Sequence, residues 1–586
     1  MNGNNALEAL AEQNFKIFYP ENNGREGLFI NIQAITLAVF GNEAWALRVV
    51  SALFGTLTIL GMYLLALELF CENSQFPISN FQSNSNESIF KRLKIKKLGH
   101  VLKIEHWKIE NYIALLSTFF LATSFWHINF SRIGFRAIMV PFFAVFGMYF
   151  LLKGLRRGNI WDMVWAGIFI GLGFHTYIAF RFMPFVLALP LGWYFWQRLK
   201  KNQKSIPDLI GDKNKNDNSK LKIAQRCIPC AIALFLFITF ITALPVGYYF
   251  LQSPHDFFGR ATDVSIFSAS SPAYEFIKSN ILTLGMFFVR GDCNGRHNYA
   301  CQPQLHPIVG IFFAVGFITA IRILFNFQFP IFNFQSNSNE SIFKRLKIKK
   351  LGYLLKIEHW KIGNLTLLVW LFSMSLPATL TREGLPHALR SIGMIPPVMI
   401  FAGFGAYKVI FWIILWTEKQ KEKWRQDVHQ LERIKKELIF LFFLLLLMIP
   451  LQTFRAYFIH WAYIPDTYFA FSTDTLHLGQ FLSTLPQKTK KYVIVNRDGV
   501  FARGLPVSAQ TVMFATNTFR EESRMQKNIV YVLPADIQSL SPPKNEKTVI
   551  ALLDGTDRAL IQTLRKKFPD YKIHAPGDFT ILESRR

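Results

Sequence analysis

The first aspartate in this chain is Asp162, and acids are scarce throughout: 38 Asp and Glu stand against 65 Lys and Arg in 586 residues, a formal net charge of +27. In a soluble chain that surplus would point to nucleic acid. Here the cations lie in the gaps between apolar runs, as in loops that face anionic lipid, so nucleic acid is discounted as a partner. There are only five cysteines, and no metal-ligand spacing among them. Cys227 and Cys230 form a CxxC at a helix entrance that reads as incidental, whereas Cys293 and Cys301 share one loop and can close a small disulfide in an oxidising compartment. No basic segment precedes an apolar core in residues 1–44, so no signal peptide is expected within them. A glycine-rich phosphate turn is missing too, since LLDGTDR near the C-terminus has a single glycine.

What the chain has is long apolar runs: 51% of residues are hydrophobic and 60 are Phe. The pattern predicts a mainly α, polytopic transmembrane helix bundle of about ten spans. They run from about Ala44–Phe70 through Ile113–Ile128, Ala137–Leu152, Trp161–Phe174, Phe182–Trp196, Ile228–Phe250, Ile308–Leu324, Leu365–Leu380 and Ile392–Leu415 to Leu438–Pro450. Leu28–Phe40 is too short to span and suits the interface. Basic pairs such as Lys91-Arg92, Arg156-Arg157, Lys200-Lys201, Lys344-Arg345 and Lys435-Lys436 fall in every second gap. Only one orientation then satisfies the positive-inside rule, with both termini outside and the chain in the plasma membrane. An outer N-terminus with no span before it predicts that a first span is missing ahead of residue 1.

Gln75–Asn111 and Gln328–Asn364 are identical at 33 of 37 positions, while the spans around them are unlike. Residues 75–111 and 328–364 therefore read as an element inserted recently into two cytoplasmic loops, where added length costs little entropy. The expected organisation is an outer segment 1–43, a transmembrane bundle 44–455 and a small outer α/β domain 456–586. That last domain is inferred from β-rich runs at Tyr492–Val495, Ile529–Leu533, Val549–Leu553 and Phe579–Leu582, and a helical pattern at Thr556–Phe568.

Six short polar motifs fall on the outer face. YPENNGREG carries Arg25 and Glu26, WHINFSRIGFR carries Arg132 and Arg136, and HTYIAFR carries Tyr177 and Arg181. SPHDFFGRATDVS carries Arg260, GDCNGRHNYACQPQLHP carries Asp292, Arg296, His297 and Asn298, and LTREGLPHALR carries His387 and Arg390. Arginine on outer turns runs against the positive-inside bias, and a phosphate at the membrane surface gives it a role, because the planar guanidinium matches phosphate oxygens. A carboxylate on the same face can serve as a general base.

These motifs, with the run YPENNGREGLFINIQAITLAVFGNEAWALRVVSALF, resemble the GT-C membrane glycosyltransferases, within them the protein mannosyltransferase and aminoarabinose transferase group with its RgtA/B/C/D-like members. The likeness covers about residues 10–455 without the inserts. It implies transfer of a sugar from a polyprenyl-phosphate donor to a glycan, lipid or protein acceptor on the outer side. The family's acid after its first span, the expected base, has no counterpart here, so the resemblance implies a chain that lacks it. Glu26 matches the family's second acidic position, although Gly27-Leu28 follows where the family has Lys-Pro or Pro-Pro. Arg260, Arg296 and Arg390 are implied for the donor phosphate; Asp292 and His297 are implied for orienting sugar or acceptor, or for holding a divalent ion, with Asp292 the second candidate acid. The other readings are a lipid-linked-sugar transporter or flippase, which predicts midplane charges, and a truncated inactive relative.

Overall fold

The computed structural model describes residues 1–70, 109–204, 228–259, 264–325, 361–423, 428–543 and 545–584. The two near-identical repeats fall almost entirely outside them, as does Arg260.

Among the described residues eight helices are long and apolar enough to cross a membrane, nine if one bent pair is counted as a single span, and the protein is an integral membrane protein. The bend separates Ile109–Ala122 from Phe125–Arg132 by 56°. Its cause is local: Ser124 is extended and its hydroxyl accepts from the His127 N–H, so a second helix starts where the first should have continued. The expected span at Trp161–Phe174 forms the helix Ile160–Gly173, whose 14 residues rise only about 21 Å. It still works as the return arm of a hairpin with Met139–Arg157, because the residues on either side of that hairpin, Arg136 and Arg181, both reach Glu26.

The bundle interior is one continuous apolar core. Where Pro307–Phe325 crosses Ile395–Lys423 the backbones touch: a Cβ on Gly316 would lie 1.9 Å from the Phe401 carbonyl, and one on Gly405 would lie 1.9 Å from that of Phe312. At the basic end, Arg156 holds Glu68 with a two-pronged pair and Lys435 reaches Glu418.

At the other end a short hairpin, β1 (Phe18–Tyr19) and β2 (Arg25–Glu26), leads into the helix Gly27–Phe40. Gly27 is required there, since a Cβ would sit 2.0 Å from the Lys16 carbonyl oxygen. The C-terminal region adds β3 (Lys490–Ile494), a small pair β4 (Phe501–Ala502) and β5 (Leu505–Pro506), β6 (Ile529–Val532), β7 (Thr548–Leu552), β8 (Tyr571–His574) and β9 (Ile581–Ser584). Five of these form a sheet in the order β6-β3-β7-β9-β8, parallel through β6, β3 and β7 and antiparallel beyond. Alternation along the strands feeds two cores: Val493, Val549 and Ala551 pack with Val512 on one face, and Ile494, Ile550 and Leu552 with Leu564 on the other.

This domain is seated on the N-terminal helix Asn2–Glu12. Asn4 donates to the carbonyl and side-chain oxygens of Gln510, Asn42 donates to the Phe514 carbonyl, and Arg503 forks onto Glu8 and reaches Glu21.

Candidate functional site

Two polar clusters occupy the end of the bundle beneath that domain. The first is built on the loop 291–306, which is closed by a Cys293–Cys301 disulfide and by the Gly291 N–H on the Cys301 carbonyl. Asp292 is buried in it and fully engaged. Its Oδ1 accepts from the Asn294 N–H at 2.8 Å, and its Oδ2 from His297 Nδ1 and the Ala388 N–H, both at 2.8 Å. His387 brings Nδ1 to 3.7 Å of the same oxygen, and the two imidazoles lie 5.1 Å apart. Burial alone pushes the Asp292 carboxyl up. The hydrogen bond from His297, the charges of His297 and His387 and the Asn294 N–H outweigh it and hold the group below the usual carboxylate range.

Other motifs fix this loop in place. Asn129 donates to the Arg296 carbonyl, Trp461 to that of Gly295 and Trp126 to that of Ala388. The rings of Phe130 and Phe135 flank His297. Aromatic walls thus fix the imidazole, and the loop itself together with the distant segment 387–388 fixes the carboxylate.

The second cluster centres on Glu26, itself buried. Arg136 Nε lies 3.2 Å from its Oε2 and Arg181 Nη2 3.6 Å from its Oε1. Two guanidinium groups share one carboxylate, so this group carries a net positive charge. Arg136 also covers the Tyr177 ring at 5.3 Å, and Arg181 lies against the rings of Phe250 and Phe257. Burial raises the Tyr177 phenol, while the charges of Arg136 and Arg390 pull it back, which puts Arg390 in electrostatic range of the same group. Arg390 donates to the Thr381 hydroxyl at 2.7 Å and the Glu383 carbonyl at 2.8 Å. Segment 380–390 therefore contributes to both clusters, His387 to one and Arg390 to the other.

The remaining candidates divide differently. Arg25 turns away from Glu26, and its guanidinium donates to Asn2, Asn5 and the Glu21 carbonyl. Burial, then the charge of Arg136, pushes it down to about 10, so it stays protonated at neutral pH. Arg132 lies over the rings of Tyr457 and Phe458. Arg296 is exposed, and Asn298 uses its side chain to hold the carbonyls of Asp292 and Gln302. Arg260 lies outside the described residues. Sequence reasoning missed Trp126, Asn129 and the Ala388 N–H; the only hint was that all three lie inside motifs already singled out.

Asp292, His297 and His387 are the one group among the described residues with three ligand-type atoms drawn together, all within 4.8 Å. A divalent ion with bonds of about 2.1 Å in tetrahedral geometry needs ligand atoms about 3.4 Å apart. The separations of 2.8 and 3.7 Å from Asp292 Oδ2 lie on either side of that value, so this donor set could take such an ion once His297 Nδ1 gives up the proton it shares with that oxygen.

No protein-family model matches the chain, and no curated protein matches it. Among solved structures it is similar to ArnT from Cupriavidus metallidurans bound to undecaprenyl phosphate, with 10% identity and a TM-score of 0.47 over 99% of this chain and 92% of that one. The apo state of the same protein gives 11% identity and a TM-score of 0.44 over the same shares.

Proposed function

We propose that this protein is a membrane glycosyltransferase that takes a sugar from a polyprenyl-phosphate carrier and passes it to an acceptor hydroxyl at the outer face of the plasma membrane. The observation that carries the reading is Glu26 held between Arg136 and Arg181 at the end of the bundle. A site that receives a phosphate ester needs surplus positive charge at membrane depth, and one that receives a proton needs a carboxylate beside it. Both are present in one group.

In this mechanism the donor phosphate draws Arg136 and Arg181 off Glu26, with Arg390 as a further cation. Glu26 is left with free oxygen lone pairs. An acceptor hydroxyl oxygen then attacks the anomeric carbon as the bond from that carbon to the phosphate oxygen breaks. The leaving phosphate keeps the electron pair and is stabilised by the arginines, and the hydroxyl proton passes to Glu26. Asp292 keeps His297 oriented for a sugar or acceptor hydroxyl. A divalent ion held by Asp292, His297 and His387 would add fixed positive charge for the sugar or phosphate oxygens.

The orientation rests on the bundle's opposite end, where Arg156, Arg157 and Lys435 gather as the positive-inside rule expects of the cytoplasmic side. The transporter reading is less well supported, because the charged groups of the two clusters sit in turns and loops at the helix ends, with, among the described residues, only Lys408 buried partway along the helix Ile395–Lys423.

The test is transfer of radiolabelled sugar in membranes supplied with a panel of polyprenyl-phosphate sugars. Glu26→Gln is expected to lower transfer at least about 100-fold, in line with the weight of a general base. Transfer at the parent rate in that variant would falsify the reading.

A further inference from the structure

The loop 291–306 is entered from a helix, Pro272–Gly285, that no step above uses. Its 14 residues rise only about 21 Å, too little to cross a bilayer. Its faces are reversed relative to a helix that meets water. The buried residues are Ser279 and Thr283, both polar. The Ser279 hydroxyl donates to the carbonyl of Thr379, the last residue of the helix Lys361–Thr379, whose own helix offers that oxygen no partner. The outward side chains are apolar: Tyr274, Ile277, Ile281 and Leu284 are between 53% and 64% exposed, and Val289, just past the helix, is 78% exposed.

An apolar face of that extent marks contact with something other than water. Two observations say what covers it. The first is continuity with a membrane span. Phe288 stacks on Phe313 with ring centroids 6.0 Å apart, and Phe287 reaches the same ring at 5.4 Å. Phe313 belongs to the span Pro307–Phe325 and lies about 9 Å along it from Pro307. Ile311, in the same part of that span, is 62% exposed, so the outward face of the helix runs on to a surface that faces lipid. The second is the placing of charge. The helix has one acid and one cation, Glu275 and Lys278, both in its first half and 3.2 Å apart, and the ammonium also lies 5.8 Å from the centre of the Tyr274 ring. The half that meets Phe313 has none. A paired cation set back from the apolar half suits a side chain that snorkels to the headgroups.

We infer that the outward face of Pro272–Gly285 is immersed among the lipid acyl chains at this end of the bundle, with Glu275 and Lys278 at headgroup level. The helix then holds two parts of the site at that depth. Its C-terminal end passes directly into the Asp292 loop. The segment before it pairs with the strip that carries His387 and Arg390, since the Ile266 N–H donates to the Leu380 carbonyl and the Arg382 N–H to that of Val264. A phosphate on a lipid carrier would reach these groups without leaving the leaflet. That consequence rests on the transferase reading; the immersion does not.

The experiment uses the full chain in phosphatidylcholine nanodiscs in which a fraction of the lipid carries a photoactivatable diazirine in its acyl chain. A parallel sample receives a charged, water-soluble diazirine, and labelled residues are mapped by tandem mass spectrometry. The acyl-chain probe is expected to label Ile277, Ile281, Leu284 or Val289 and to spare Ser279 and Thr283. The aqueous probe is expected to label the tryptic peptide 279–290 at least about fivefold less than exposed peptides of the C-terminal domain. Ile277→Glu and Ile281→Glu, made together, should lower acyl-chain labelling of 279–290 at least about fivefold, because ionised side chains are driven out of hydrocarbon. The double variant is checked by size exclusion and by parent-like labelling of peptide 297–322; where it fails that check, the parent's labelling pattern decides by itself. Aqueous labelling of 279–290 as strong as that of the C-terminal domain, no acyl-chain labelling of the outward residues, crosslinks from this helix to a second copy of the chain, or undiminished labelling in a well-folded double variant overturns the inference. None of these readouts needs turnover, so their failure is separate from a failure of the Glu26→Gln transfer assay.

Discussion

Arg503 in the C-terminal domain donates through both terminal nitrogens to the two carboxylate oxygens of Glu8, a residue 495 positions earlier, and through one of them to Glu21 at 2.9 Å. Glu21 in turn lies 3.9 Å from Arg25, the neighbour of Glu26. The C-terminal domain is thereby tied to the hairpin that presents the candidate catalytic acid.

Loss of that tie is expected to loosen the hairpin. Arg503→Ala should speed limited proteolysis between residues 13 and 24 and cost about 1 kcal/mol, a modest figure because the side chain is 38% exposed and solvent screens the pair. Arg503→Lys should recover only part of the loss, since an ammonium cannot match both carboxylate oxygens at once.

Gly27 offers a sharper test of how Glu26 is held. With the Lys16 oxygen 2.0 Å from where a Cβ would stand, Gly27→Ala must move the β1–β2 hairpin. The expected cost is about 2–4 kcal/mol, read as a lower midpoint of thermal unfolding in detergent.

Arg136 and Arg181 should separate from Glu26 in kinetics. Arg136→Ala or Arg181→Ala is expected to raise the KM for the polyprenyl-phosphate donor about tenfold, in keeping with a charge-assisted bond of about 1.5 kcal/mol, with a smaller effect on kcat than Glu26→Gln. Unchanged KM together with unchanged kcat in both variants would contradict a phosphate role.

Asp292 sets a pH window. Its folded-state pKa is depressed, so its contribution to stability is fully present above the ordinary carboxylate value of about 3.9 and is lost only as pH falls through the folded value. Amide protection of Asn294 and Ala388, corrected for intrinsic exchange, should fall as pH drops below about 4. Asp292→Asn should show low protection at every pH.

The Asp292, His297 and His387 group should bind a divalent ion in the purified protein. Cobalt(II) absorption or manganese(II) spin resonance would report it, with His387→Ala weakening binding at least about tenfold. An identical spectrum in the variant would leave the carboxylate and histidines as a hydrogen-bonded group alone.

Much of the architecture is written locally. An apolar run of sufficient length has no better environment than lipid, so Ala44–Phe70 appears in the structure at the bounds its hydropathy implies, and short β-rich runs were enough to mark four of the five sheet strands. The missed strand, Tyr571–His574, alternates between half-buried and exposed and carries only a weak signal. The candidate site was legible as a set of motifs on one face, but not as partnerships. Arg25 and Arg136 looked alike in sequence, yet one faces the N-terminal helix and the other Glu26. His297 and His387 are 90 residues apart, and their meeting on one Asp292 oxygen depends on how helices pack. Composition determined that the chain lies in a membrane and roughly where it crosses, because transfer of an apolar segment from water depends on that segment alone. Which charges face each other was decided only by the packed structure, because a hydrogen bond requires two groups to be brought within about 3 Å, and no single segment fixes where its partner will be.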